Sequence, residues 1–229
     1  MESSPTSGIR PVLATPAQLQ EGVACLSRGG YFREASLEMA LSILTESAAR
    51  MSGVERVSIW ALTDDQSELC CLRLFELSAQ RHAGGECITA SHYPAYFHAL
   101  RSEACIVADD AARHPATAEF VGNYLARHRI SAVLDTPIHI RGEFQGVLSL
   151  EQVATREPWN PAHRLFAHAV ANLVTLAAWP ADVFGGQPDL PVMLTPCMRP
   201  AAGMPWVKGP RREAPAWRLC ITRHIAPAV

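Results

Sequence analysis

The chain has 229 residues, of which 48% are hydrophobic and 18% charged, and its formal net charge is −2. This composition is typical of a globular protein with room for one packed domain, and no apolar run reaches the roughly 18 residues that a membrane span requires. A charge so close to zero gives no electrostatic reason to expect nucleic acid or an anionic membrane as a partner.

The first 32 residues predict a flexible leader. Prolines and the Gly29-Gly30 pair interrupt it, and one weak helical stretch covers residues 17–26. The opening sequence MESSPTSGIR has neither the basic start nor the apolar stretch of a secretory signal. The expected compartment is therefore the cytoplasm.

The first strong element is a helix over residues 37–51. Ser36 is placed to cap this helix and Gly53 to end it. Apolar residues recur at the three- and four-residue spacing of one helix face. They are Leu37, Ala40, Leu41, Leu44, Ala48 and Met51.

Segments rich in β-forming residues follow this helix. Residues 54–62 and 68–77 are separated by polar turn residues and predict a hairpin. The middle of the chain then predicts a short helix beginning near Pro94, a brief strand over 104–108 and a helix over 118–127.

The clearest pair of strands covers residues 131–140 and 143–153. Arg141 and Gly142 between them suit a tight turn, in which glycine supplies the positive φ. Pro137 cannot donate to a ladder, so its strand is expected to lie at an edge or to bulge there.

A second long helix closes the domain, and the composition changes after it. Asn160 followed by Pro161 predicts a helix start. Residues 180–229 hold nine of the seventeen prolines and six Lys or Arg against three Asp or Glu, which predicts an unstructured tail. The folded domain is expected over residues 33–179. The apolar face of its last helix comprises Leu165, Phe166, Ala169, Val170, Leu173, Val174 and Ala177.

The seven cysteines include no C-x-x-C pair. An odd number without that spacing argues against both a disulfide framework and a zinc ribbon. We expect most of them to be reduced, and Cys70, Cys71 and Cys105 to be small core residues.

Residues 107–120, VADDAARHPATAEF, place Asp109 and Asp110 close to His114 and so raise the question of a metal site. Capping is the favoured interpretation, because an aspartate can cap the turn that follows and Thr117 can cap the next helix. A metal site would need further ligands at a defined spacing. Three isolated histidines are likewise interpreted as surface or satisfied polar groups, namely His82, His92 and His98.

Five strings in this order resemble the GAF domain, a sensory module of phytochromes, phosphodiesterases and bacterial signalling proteins. They are VERVSIWAL at 54–62, YPAYFHAL at 93–100, IVADDAARHPATAEFVGNYL at 106–125, LDTPIHIRGEFQGVLSLEQV at 134–153 and W…FA…ANLVTLA at 159–177. The resemblance covers residues 33–179. It implies an α/β (α+β) fold in which terminal helices pack on one face of a central antiparallel sheet and a helical insert roofs a ligand pocket on the other.

The same resemblance places Asp135 in a strand below the ligand cavity. A buried, unpaired carboxylate costs on the order of several kcal/mol, so Asp135 must have a partner or face a polar pocket, and both roles remain open. The aromatic residues nearby are expected to divide between core and pocket wall. The candidate ligand-binding residues are Tyr93, Tyr96, Phe97, Asp110, Phe120, Tyr124 and Asp135.

Missing motifs narrow the roles that the resemblance implies. The N-K-x-F-x-D-E string of cyclic-nucleotide GAF domains and the Cys-His pair that attaches bilins are absent, so the cofactor is unknown. GAF-type free methionine sulfoxide reductases have their nucleophile in the segment corresponding to 126–135, which has no cysteine here. Cys87 and Cys105 would do no chemistry without it.

The leading hypothesis is a non-catalytic cytoplasmic sensor in signal transduction that binds a small molecule or a protein partner. The family's terminal helices imply a homodimer. The alternatives are an enzyme like the sulfoxide reductases and a ligand-free interaction module. Such domains usually precede an output partner, a histidine kinase or diguanylate cyclase, and the tail resembles an out-of-frame reading. A truncated or frameshifted sensor is therefore expected.

Overall fold

The computed structural model describes residues 14–28, 35–154 and 157–178. The predicted tail over 180–229 and residues 1–13 of the predicted leader lie outside these ranges. In the described residues the helices are α1 (Pro16–Arg28), α2 (Leu37–Ser52), α3 (Pro94–Ser102), α4 (Ala126–His128) and α5 (Pro161–Ala178). The strands are β1 (Arg56–Leu62), β2 (Glu68–Glu76), β3 (Arg81–Ala83), β4 (Cys87–Thr89), β5 (Ile106–Ala108), β6 (Ile130–Ile140) and β7 (Glu143–Val153).

The strands of the described residues form one antiparallel sheet in the order β3-β2-β1-β7-β6-β5, with β4 continuing the β3 edge of β2. The mixed α/β class and both predicted hairpins are confirmed, since β1 pairs with β2 and β6 with β7. β3 and β4 are too short to show a periodic pattern and were not predicted.

The ends of the two long helices form as the sequence predicts. The Ser36 hydroxyl accepts a hydrogen bond from the Met39 amide at 3.2 Å, and Gly53 ends α2 with φ 72°. Asn160 Oδ1 accepts from the His163 amide at 3.0 Å at the start of α5. Both ends therefore satisfy amides or carbonyls that a helix leaves without partners.

The turn between β6 and β7 has positive φ at both central residues, 55° at Arg141 and 80° at Gly142. This geometry matches the twist of the flanking strands. Pro137 lies where β6 has lost its β5 neighbour, because β5 ends opposite Asp135. Pro137 therefore lies on a part of β6 that has no β5 partner, next to an irregularity between Ile138 and His139.

The terminal helices cover one face of the sheet. Buried residues of α2 and α5 pack on the inward residues of β1, β6 and β7 in one apolar core. α1 joins this core through Leu19 and Leu26, so the predicted weak helix is longer than expected and packs on the domain. A Cβ at Gly22 of α1 would come within 2.8 Å of Met51 Sδ, so a larger residue there would require the Met51 side chain to shift.

The opposite face is covered by α3 and by a helical segment over residues 118–128. The predicted single helix is divided into a 3-10 turn (Ala118–Phe120), a π-helical turn (Val121–Leu125) and α4. Thr117 does not cap it, because its buried hydroxyl donates to the Ala111 carbonyl at 2.6 Å instead. The helical insert thus lies where the resemblance implies, in a less regular form.

Two expectations about the cysteines are wrong. Cys70 and Cys87 form a disulfide that joins β2 to β4. Cys105 is half-buried rather than a core residue, whereas Cys71 is buried as expected. The first error follows from the unpredicted β4, because only its pairing with β2 brings Cys87 opposite Cys70.

Candidate ligand cavity

The floor of a cavity is formed by neighbouring strands on the α3 side of the sheet. Ser58, Ser149 and Asp135 lie side by side across β1, β7 and β6. Two residues further along, Arg56 of β1 lies directly opposite Glu151 of β7. Because alternate residues of a strand point to the same face, all five side chains share the face that the helical insert covers.

The roof is aromatic. Phe120 stacks on Tyr93 with ring centroids 4.2 Å apart and meets the edge of Tyr96 at 4.8 Å. Tyr124 packs against Phe120 at 5.9 Å and against Trp60 of the floor at 6.2 Å. These edge-to-face and offset contacts fix the rings relative to one another.

The cavity contains about 360 Å³ of unfilled space including its open mouth. Its enclosed part has room for only about one or two water molecules. A larger ligand therefore requires the roof to move away from the floor. The lining residues are Trp60, Ile88, Tyr96, Thr117, Phe120, Tyr124, Leu125, Val133, Asp135, Ser149 and Glu151.

Asp135 is the least compensated charge in this cavity. Its side chain is 2% exposed, and Oδ2 accepts a hydrogen bond from the Tyr96 hydroxyl at 2.7 Å. Among the described residues, none donates to Oδ1. Burial raises the pKa of Asp135 to about 7, although Ser149 and Tyr96 oppose the rise.

Glu151, in contrast, is fully paired. Arg56 Nε donates to its Oε2 at 2.8 Å, and the Tyr124 hydroxyl donates to its Oε1 at 2.8 Å. Arg56 also donates to Glu76. Burial lowers the pKa of Arg56, but the interactions with Glu151 and Tyr124 together outweigh it, so the net shift of the pKa is upward. The guanidinium therefore stays charged and holds Glu151 in place.

The two cavity tyrosines act as hydrogen-bond donors. Burial raises the pKa of Tyr96 well above its usual value, and the Asp135 carboxylate adds to the rise. Burial likewise raises the pKa of Tyr124, helped by Glu151. Both phenols keep their protons at physiological pH and stabilise the carboxylates beneath them.

The structure brings four of the seven candidate residues together in the cavity wall, namely Tyr96, Phe120, Tyr124 and Asp135. Tyr93 lies behind the wall, stacked on Phe120. Phe97 is a core residue that packs beside Tyr96. Asp110 lies outside the wall, where its Oδ1 accepts from the Ala112 amide at 3.2 Å, because it stabilises the turn that follows it.

Sequence reasoning did not place four polar or aromatic wall residues at the site, namely Trp60, Thr117, Ser149 and Glu151. Glu151 carried a usable signal, because it interrupts the apolar run of β7 as Asp135 interrupts that of β6. Trp60 and Ser149 carried none, since both residue types are common in strands and turns of any role.

The Asp109-Asp110 stretch has structural contacts. Asp109 Oδ1 accepts from the Trp159 amide at 2.7 Å and so ties the stretch to the start of α5. His114 Nδ1 accepts from the Ala116 amide at 3.3 Å. These bonds give Asp109 and His114 structural roles in the turn.

One group of the described residues brings three potential metal ligands within 4.8 Å of one another, namely Glu68, Cys70 and Cys87. Its two sulfurs are bonded to each other. Cysteine coordinates a metal as a thiolate. With both cysteines oxidised, the Glu68 carboxylate is the remaining ligand of this group.

Burial disfavours two of the described thiols, those of Cys71 and Cys105, as nucleophiles, whereas the free thiol of Cys25 is exposed. Burial raises the pKa of Cys71 to about 12, and burial also raises the pKa of Cys105. Both are therefore protonated at neutral pH. Cys87 immediately precedes the cavity-lining residue Ile88, but it is bonded to Cys70 in the disulfide.

Comparisons with known proteins agree on the fold. The family model of the GAF domain matches residues 36–178. The GAF domain of a phosphoenolpyruvate-protein phosphotransferase from Coxiella burnetii is similar with a TM-score of 0.56 and 18% identity, over 72% of this chain and 94% of that chain. Residues 122 to 287 of a methyl-accepting chemotaxis protein give 0.54 and 17%, over 68% and 93%.

An enzyme is also among the similar structures. Free methionine-R-sulfoxide reductase from Neisseria meningitidis, solved with its substrate, gives a TM-score of 0.50 at 13% identity, over 69% of this chain and 84% of that chain. At such identities the likeness shows a common fold and does not extend to chemistry. The curated proteins contain no match to this sequence. Among the described residues no helix combines the length and apolar character needed to cross a bilayer.

Proposed function

Since the chain belongs to the GAF domain family, a common sensory and regulatory module of signalling proteins, we propose that it is a non-catalytic sensor whose cavity between sheet and helical insert binds a small molecule. Binding would move the roof residues Phe120 and Tyr124 relative to the floor. The roof segment has mixed 3-10 and π-helical hydrogen bonding, so a shift disturbs fewer regular bonds than in an α-helix.

The observation that carries this proposal is the buried carboxyl of Asp135 with one oxygen left without a described donor. A fold selected for stability alone gains nothing from an unsatisfied carboxyl at this position. An apolar residue there would fill the cavity instead. A ligand donor provides the missing partner.

Native mass spectrometry of the protein as purified, followed by thermal-shift screening against a metabolite library, tests the proposal. Val133→Phe fills the cavity from the floor, while Val121→Phe places the same ring at a position that is 43% exposed and outside the wall. We expect ligand mass or a thermal shift in the wild type and in Val121→Phe, and its loss in Val133→Phe. A Val133→Phe protein that responds like the wild type would contradict the cavity assignment.

The enzyme alternative receives support from the shared fold alone. Its test is thiol-dependent reduction of free methionine sulfoxide by the wild-type chain, measured beside Cys71→Ser, Cys87→Ser and Cys105→Ser. We expect no turnover, because burial raises the pKa of Cys71 and Cys105 and Cys87 is bonded to Cys70. Turnover lost in any of these variants would replace the proposed role with an enzymatic one.

The proposed partners are a second copy of the chain and a kinase or cyclase that receives the signal. Support for the homodimer comes from large apolar side chains exposed on the outer faces of α2 and α5, namely Met39, Leu165 and Leu176. Support for the output partner comes from the signalling context of the family.

The proposed compartment is the cytoplasm. Thiols are kept reduced there, so the Cys70–Cys87 pair reports on this part of the proposal. Alkylation of thiols in intact cells followed by mass analysis should label both cysteines if the protein is cytoplasmic. Unlabelled, bonded cysteines would indicate an oxidising compartment.

A further inference from the structure

The hydrogen-bond inventory of the cavity leaves one acceptor open. Asp135 Oδ2 is occupied by Tyr96, and both oxygens of Glu151 are occupied by Arg56 and Tyr124. Asp135 lines the cavity, and among the described residues no hydrogen bond to its Oδ1 is formed, although the neighbouring Ser149 hydroxyl favours the carboxylate. A hydrogen-bond donor from outside the protein would satisfy this oxygen.

The charges around the cavity are also unequal. The charged network beside the cavity contains the buried carboxyls of Asp135 and Glu151 and the partly buried Glu76, against the buried Arg56 and the exposed Arg81. Arg56 is engaged by Glu151 and Glu76, and Arg81 by Glu76 at 2.6 Å. Neither arginine is hydrogen-bonded to Asp135. An ionised Asp135 leaves one negative charge without a counter-ion.

The wall beside this oxygen suits a cation. Trp60, Phe120 and Tyr124 present aromatic rings to the same space. The face of an aromatic ring attracts a nitrogen cation, most strongly when water is excluded. An anionic ligand would meet repulsion from Asp135 and gain nothing from these rings.

We propose that the ligand of this cavity is a small nitrogen cation of the amidine, guanidine or aryl-ammonium class, whose N–H group donates to Asp135 Oδ1 while its apolar part packs between Trp60, Phe120 and Tyr124. This inference rests on the proposed ligand-binding function of the same cavity and adds the charge of the ligand. The enclosed space is smaller than one aromatic ring, so binding displaces the roof.

The ionisation of Asp135 makes such binding dependent on pH. With the pKa of Asp135 raised to about 7, mainly by burial, its ionised fraction increases from about 9% at pH 6 to about 91% at pH 8. A ligand that needs the carboxylate should therefore bind about ten-fold more tightly at pH 8. The polar and ionisable groups facing Asp135 from the surrounding elements are Tyr96 of α3, Tyr124 of the π-helical turn, Arg56 of β1 and Ser149 and Glu151 of β7.

Three probes of one shape test the charge preference, namely benzamidine, benzamide and benzoate. Their binding to the full chain is measured by ligand-observed NMR and calorimetry at pH 6, 7 and 8. We expect benzamidine to bind at pH 8 at least ten-fold more tightly than benzamide, with benzoate weakest. The affinity for benzamidine should increase with pH, and that for benzamide should not.

Two variants separate a role in binding from a role in folding. Asp135→Asn keeps the size of the side chain, and it should abolish both the benzamidine preference and its pH dependence. Tyr96→Phe removes the hydrogen bond that lowers the pKa of Asp135, so the increase in benzamidine affinity should move to higher pH. The exposed turn residue Asp64 provides the matched control, Asp64→Asn, which should behave like the wild type.

The inference is overturned if benzamide or benzoate binds as tightly as benzamidine, if no probe binds, or if Asp135→Asn leaves the benzamidine affinity unchanged. A ligand retained by the purified wild type and lost in Val133→Phe would leave the proposed function intact in each of these cases. If the purified wild type also retains no ligand and Val133→Phe responds like the wild type, the proposed function is overturned as well.

Discussion

The two faces of the sheet are formed by alternating residues of the same strands, yet their chemistry differs. Toward α2 and α5, residues such as Ile59 and Leu148 pack with Phe166 in an apolar core. Toward α3, the neighbouring strand positions include Asp135 and Glu151, buried under an aromatic roof. Both faces exclude water, so burial alone does not distinguish them.

This difference in chemistry between the two faces separates residues that stabilise the fold from residues that are available for binding. An apolar side chain in a packed core gains free energy with each methylene removed from water. A buried carboxyl with an open oxygen lowers stability unless a partner arrives. Among the described residues, the buried carboxyls lie only toward the cavity, which indicates a functional surface on that face.

The largest effect on stability is expected when a large residue is removed from the helix face, the side of the sheet that α2 and α5 cover. Phe166 is 2% exposed, and Phe166→Ala should lower the free energy of unfolding by about 3–5 kcal/mol through lost burial and the cavity left behind. Urea unfolding measures this change. Leu176→Ala, at an exposed position on the same helix, should change it by less than about 0.5 kcal/mol. Equal effects of the two variants would mean that α5 is not packed as described.

The second test breaks the paired carboxylate of the cavity face. Glu151→Gln leaves the buried Arg56 with Glu76 as its remaining carboxylate and should cost about 3 kcal/mol. Glu46→Gln, which removes the exposed pair with Arg50 on α2, should cost less than about 1 kcal/mol. Chemical denaturation at pH 7 measures both, and a Glu151→Gln effect as small as the control would show that Glu151 is not structurally engaged.

The sequence predicted the elements of the helix face well, because the patterns that specify them involve residues close together in the chain. A 3.6-residue period with Ser36 and Gly53 at the ends specified α2, and alternation around Arg141-Gly142 specified the second hairpin. The disulfide was not accessible in this way, since it depends on the pairing of β4 with β2.

The cavity was only partly predictable for a related physical reason. Asp135 stood out because a carboxylate in an apolar strand needs an explanation, and Glu151 could have been found by the same argument. Which oxygen lacks a donor depends on tertiary contacts such as that of Tyr96, 39 residues away in sequence. Thr117 shows the same limit, because its hydroxyl bonds to Ala111 and not to the helix it precedes.

The third test concerns stability on the cavity face. Asp135 has a pKa of about 7 in the fold against 3.8 as its ordinary value. Between these values the folded state binds more protons than the unfolded state, so Asp135 lowers stability progressively as pH rises from about 4 to 7. The linkage is at most about 4 kcal/mol, and an asparagine with an unpartnered amide retains part of the cost.

Asp135→Asn should therefore be nearly neutral at pH 5 and more stable than the wild type by about 2 kcal/mol at pH 8. Thermal unfolding over this pH range measures the divergence, with Asp64→Asn as the control that should remain parallel to the wild type. A constant difference at all pH values would mean that Asp135 titrates normally. The opposite slope would mean that the folded state prefers the carboxylate.

The smallest effect on protomer stability is expected at the outer surface of α5. Exposed leucines there test the proposed homodimer. Leu165 is 71% exposed, and Leu176 lies three turns further along α5, also exposed. Replacing both by serine should change the free energy of unfolding of the protomer by less than about 0.5 kcal/mol, because neither side chain is buried in it. If these leucines form the proposed homodimer, the double variant should be monomeric at micromolar concentration by light scattering.

Val121→Ser is the matched control, since Val121 is an exposed apolar residue on the roof and not on α5. A dimer that persists in the double variant and dissociates in Val121→Ser would place the interface on the cavity side. Ligand binding and assembly would then share one face of the sheet, and displacement of the roof would act directly on the dimer. An interface on α5 would require the signal to cross the sheet through the apolar core.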